Sequence, residues 1–84
     1  MCSYITETAS IVGSAKGPEG WVNVTSANVY FDHPYHAALD HALSIDFLSP
    51  DTNQRVAVEL SAESARALVA RILSALETGE KEHG

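Results

Sequence analysis

The 84-residue chain has little of what small folds commonly use to hold themselves together or to perform chemistry. A single cysteine, Cys2, excludes an internal disulfide and fits a reducing compartment. The basic residues number five, Lys16, Arg55, Arg66, Arg71 and Lys81, and they are scattered among eleven acidic ones. A net charge of −6 repels a phosphate backbone, so nucleic acid is not an expected partner. No stretch approaches the roughly 18 to 20 apolar residues of a membrane span, and the opening MCSYITE has neither the basic flank nor the apolar run of a signal peptide. The expected setting is cytoplasmic, with no membrane partner. A Ser/His/Asp spacing, a nucleophile elbow and a paired-carboxylate motif are also missing, and nothing identifies a reaction. The glycine-rich GSAKGPEG precedes a strand pattern, so it lacks the strand, glycine, helix order that aims backbone N–H groups at a phosphate.

What is present is alternation. Ile5, Ala9 and Ile11 share one parity from Ser3 to Val12 and define a first strand, with Glu7 on the same side. A hairpin loop over Gly13 to Gly20 leads to a second strand, Trp21 to Phe31. There Val22 and Val24 have one parity and Ala27, Val29 and Phe31 the other, which a bulge at Thr25-Ser26 would reconcile. Leu43, Ile45 and Phe47 mark a third strand over Ala42 to Leu48, and Val56, Val58 and Leu60 a fourth over Arg55 to Leu60. Ser61 then offers an N-cap to a helix carrying Ala65, Leu68, Val69, Ile72, Leu73 and Leu76 at steps of three and four, with a glycine stop near Thr78-Gly79. The expectation is an α+β fold: a four-stranded antiparallel sheet with one C-terminal helix packed on one face. It forms a single β-β-β-β-α domain over residues 1–79, and residues 80–84 are a disordered tail. The opposite face, with Thr6, Thr8, Tyr30, Ser44 and Asp46, is semipolar. A chain this short buries a small core, and pairing of two such faces into a homodimer is the expected remedy.

The segment YFDHPYHAALDH, Tyr30 to His41, places three of the four histidines within nine positions. Imidazole, thiolate and carboxylate are the ligands of divalent transition metals such as zinc, copper and nickel, and a compact loop supplies them at low ordering cost. His33, His36 and His41 are the candidate ligands, with Asp32 or Asp40 as a ligand or as an orienter of an imidazole. Antiparallel pairing of the first two strands would bring Cys2 beside His33 as a fourth ligand. The spacing H-x2-H-x4-H is neither a zinc finger nor a helical zinc motif. A structural or interface loop, a charge switch near pH 6 and metal-free acid/base chemistry therefore stand beside the metal reading. The leading expectation is a small cytoplasmic metal-binding protein with this loop, His33, His36, His41 and Cys2, at one end of the sheet, and its rival is a non-catalytic dimeric interaction or small-ligand-binding module in which the loop is structural.

MCSYITE, AKGPEGW, YFDHPYHA with LSIDF, and RVAVELSAESARALV together resemble a family of small uncharacterised proteins found mainly in actinobacteria. The likeness covers nearly the whole chain. It implies a stand-alone cytoplasmic domain and assigns no activity, cofactor or site residue.

Overall fold

Strict alternation over residues 42–48 and 55–60 produces two strands at the expected bounds, β3 (Ala42–Leu48) and β4 (Arg55–Leu60). They follow a longer hairpin, β1 (Thr6–Gly17) and β2 (Gly20–Asp32), and precede a single helix, α1 (Ala62–His83). These elements come from a computed structural model that describes residues 6–53 and 55–83. The sheet order is β1-β2-β3-β4, each neighbour antiparallel, which makes the fold α+β with one C-terminal helix. None of the described helices is long and apolar enough to cross a membrane.

The first hairpin differs from the sequence expectation in two ways. Residues 13–20 do not form a loop: β1 continues to Gly17, and Lys16 pairs with Trp21 across from it. Only Pro18 and Glu19 lie between the strands, and Gly20 follows at φ 116°. Proline pre-sets the turn and glycine tolerates the left-handed backbone that returns the chain to the ladder. The bulge is also on the other strand. Ser10 pairs with Ser26 and Gly13 with Val24, so Ile11 and Val12 together oppose Thr25. β2 therefore keeps its alternation, and Val22 and Val24 fall on the parity of Asn28 and Tyr30 rather than joining Ala27, Val29 and Phe31.

The register separates two faces. One carries Ala27, Val29 and Phe31 beside Leu43, Ile45 and Phe47 and then Val56, Val58 and Leu60, with Glu7 on β1 opposite Val29. The other carries Thr6, Thr8, Asn28, Tyr30, Ser44, Asp46, Ala57 and Glu59.

α1 starts where the sequence implies. Ser61 Oγ accepts the Ser64 N–H at 3.0 Å, and the Ser61 carbonyl accepts the first helical bond from Ala65 at 2.9 Å. Its end is a correction. The helix runs through Gly79 to His83, so residues 80–83, expected as a tail, extend it to 22 residues. One glycine costs a helix interior only about 1 kcal/mol, and Glu80, Lys81 and Glu82 are good helix formers.

The packing of α1 holds a larger consequence. Ala65, Leu68, Val69 and Ile72 lie over Val29, Leu43, Ile45 and Leu60, but they leave a groove of about 400 Å³ between helix and sheet. No described helix residue is buried. Among the described residues the buried apolar ones are Val24, Ala27 and Ala42, while Leu73 is 62% and Leu76 53% exposed. The chain exposes 6610 Å² in all. Compact monomers of its mass, 9.0 kDa, expose about 4,850 Å². Its radius of gyration, 14.5 Å, likewise exceeds the roughly 12 Å of a compact chain of this length.

Candidate functional site

Two aspects of the sequence build the site: β2 ends at Asp32, and Pro34 prevents the histidine segment from continuing as strand or helix. Residues 33–41 instead cross the polar face of the sheet. The Asp32 carboxylate accepts the His33 N–H at 2.6 Å and turns the chain out of β2. One β4 side chain then fastens the crossing. Glu59 accepts the backbone N–H of Tyr35 at one carboxylate oxygen, and those of His36 and Ala37 at the other at 3.1 and 3.0 Å. Three donated bonds stabilise the charged carboxylate, and they hold the Glu59 pKa below its ordinary 4.5, Ala37 contributing most, with the nearby His36 adding to the effect.

Under the loop lies a cleft of about 430 Å³, lined among others by Tyr30, Tyr35, Ser44, Asp46 and Arg55. Asp46 is 7% exposed, and a carboxylate that deep needs partners. It accepts the Tyr30 hydroxyl and an Arg55 guanidinium N–H, each at 3.2 Å. Burial, followed by the Asp46 charge, raises the Tyr30 pKa, so its hydroxyl stays protonated and donates. Thr8 donates to Asn28 at 2.9 Å farther along the same face. Ser44 and Asp46, on this face, are more fully covered than the apolar residues beneath the helix.

Two of the candidate ligands come together. The rings of His33 and His41 stack with centroids 4.9 Å apart, and Phe31 stacks on His41 at 5.5 Å. His33 Nδ1 is 3.1 Å from the Asp40 carbonyl, a bond that needs the proton on Nδ1 and, in the neutral ring, leaves the lone pair on Nε2. Stacking brings two rings into contact without itself converging their nitrogens. His36 enters the network through its backbone N–H, which Glu59 holds. Among the described residues no group of three or more His, Cys, Asp or Glu side chains is arranged to hold a metal ion. Cys2, the fourth candidate, lies outside the described residues.

The profile of the Family of unknown function (DUF6295) matches residues 1–84. The chain belongs to this family. No curated protein and no solved structure matches it. Membership therefore brings no activity or ligand with it, and a functional reading of this DUF6295 chain rests on its own geometry.

Glu59 is the residue that sequence reasoning missed. Its register opposite Ser44 puts it on the semipolar face, but its partners are three backbone N–H groups, which carry no residue-type signal. The only trace was Pro34, which required the segment to leave regular structure and find its hydrogen bonds elsewhere.

Proposed function

We propose that this protein is a non-catalytic interaction module that works as a cytoplasmic homodimer, with the histidine-rich segment as a structural strap over the polar face. One observation carries this reading. The single chain exposes about 1,750 Å² more than a compact monomer of its mass. Part of that excess is the apolar stripe of the helix, on which Leu68, Val69, Ile72, Leu73 and Leu76 all remain exposed. A chain whose described residues bury only Val24, Ala27 and Ala42 among the apolar ones gains most of its remaining hydrophobic stabilisation by association. The strap reading draws support from Glu59, which engages the loop through its backbone and so fixes its path whatever the histidine side chains do.

A second reading is favoured by the stacked pair. His33 and His41 would be the first two ligands of zinc, copper or nickel, with His36 brought in by movement of the loop and Cys2 as the expected fourth ligand. The Asp40 carbonyl would orient His33 in the manner of an outer-shell partner.

Light scattering on untagged protein at micromolar concentration, with and without a chelator and alongside elemental analysis, separates the two. The homodimer reading expects twice 9.0 kDa in both conditions and in the variant His33→Ala/His41→Ala. A single-chain mass for the wild type sinks it. Stoichiometric metal whose removal also halves the mass would favour the second reading instead.

A further inference from the structure

The apolar face identifies the surface on which the proposed dimer forms. We infer that a second copy of this chain docks on the groove between α1 and the sheet, so that the exposed stripe of each helix, Leu73 and Leu76 included, packs against the apolar sheet face of the other. This rests on the homodimer reading and specifies its interface. It also reverses the expectation that the polar faces meet.

Three observations select the face and the occupant. The first is cover: on the polar face the loop spans part of the sheet and Ser44 and Asp46 are buried, whereas on the apolar side Phe31 is exposed and Leu43, Ile45 and Phe47 are only half-buried. Exposed apolar patches of this extent on a small chain mark association sites.

The second is self-complementarity. A helix of 22 residues is about 33 Å long. Ala65, Leu68, Val69 and Ile72 line the intrachain groove, and the next two stripe residues, Leu73 and Leu76, lie past it with over half their surface exposed. The same chain thus offers an unfilled apolar groove and an unpartnered apolar ridge, which is what a two-fold, isologous contact requires.

The third is area. Covering about 1,000 Å² on each chain, well within the excess of roughly 1,750 Å², gives about 2,000 Å² in total, the lower range of obligate homodimers. A cover needed for the core must be present constitutively, and a second copy is the partner always made with the first.

The test compares masses of substituted chains at micromolar concentration. Leu73→Glu and Leu76→Glu place a charge at positions that are largely exposed in a lone chain, so neither disturbs intrachain packing. In the dimer each charge is buried twice by symmetry, and the dissociation constant should rise roughly a hundredfold or more. The expected result is a single-chain mass for both. Loss of the folded state in these variants also supports the inference when Ser74→Glu, at an exposed position on the opposite side of the helix, stays folded and two-chain. Thr8→Glu on the polar face should keep the two-chain mass. If the wild type is two-chain and Leu76→Glu and Leu73→Glu remain so, or if Thr8→Glu alone separates the copies, the interface is elsewhere and this inference falls while the homodimer stands. A wild type that is single-chain, including one that gains mass only with lipid vesicles or another protein, overturns both.

Discussion

On a hundredfold dilution through the micromolar range, the thermal midpoint of this protein falls by about 8 °C. The size of the shift follows from coupling folding to association. Unfolding absorbs about 0.7 kcal/mol of enthalpy per residue near the midpoint, or about 120 kcal/mol for two chains of 84 residues. Each tenfold dilution favours the separated, unfolded chains by about 1.4 kcal/mol. Against that enthalpy the midpoint moves by about 4 °C per decade. A folded monomer has no such dependence. Calorimetry or circular dichroism over two decades of concentration checks it, and a constant midpoint would show that the lone chain is stable with its helix stripe in water.

Replacing Glu59 by alanine releases the histidine segment while leaving the sheet intact. The carboxylate is the shared acceptor for three successive N–H groups, engaged through both its oxygens. In Glu59→Ala the amides of Tyr35, His36 and Ala37 should exchange hydrogen at rates close to those of an unstructured peptide. The ladder amides of β2 and β3 should keep their protection. Acid should imitate the substitution. Because the folded-state pKa is lowered, the strap contributes stability that is fully present above the ordinary glutamate value of 4.5, and this is lost as pH falls through the lower folded value. Exchange read by nuclear magnetic resonance at neutral pH decides the point. Unchanged protection in the alanine variant would mean that Glu59 does not hold the loop.

Much of the architecture was legible because period-two alternation and a serine cap are local signals. β3, β4 and the start of α1 lie where Leu43, Ile45, Phe47, Val56, Val58, Leu60 and Ser61 place them. From Ala27 onward the faces were legible for the same reason, down to Glu7 on the apolar side, but Val22 and Val24, expected to share that side, lie on the other. What covers each face was not. The stripe on α1 shows which side of the helix avoids water, but not that the helix would leave a groove and leave Leu73 and Leu76 without a partner. That depends on the crossing geometry and on molecules outside the chain.

The parity switch in β2 correctly signalled a bulge near Thr25, yet alternation within one strand cannot say which of two paired strands holds the extra residue. Gly79 misled because a glycine stop and a tolerated helical glycine differ only by about 1 kcal/mol. At the histidine segment, counting residue types found His33 and His41, which do meet. It did not anticipate that His36 would be bound through its backbone, since a Glu59 carboxylate and three amides form a contact in which the loop's side chains take no part.

The account turns on which face joins two copies, and a mixed sample of isotope-labelled and unlabelled chains reads that directly. An isotope-filtered nuclear Overhauser spectrum should show intermolecular contacts from the methyl groups of Leu73 and Leu76 to the rings of Phe31 and Phe47 in the other copy. Intermolecular contacts confined to Thr6, Thr8 and Tyr30, or none at all, would contradict it.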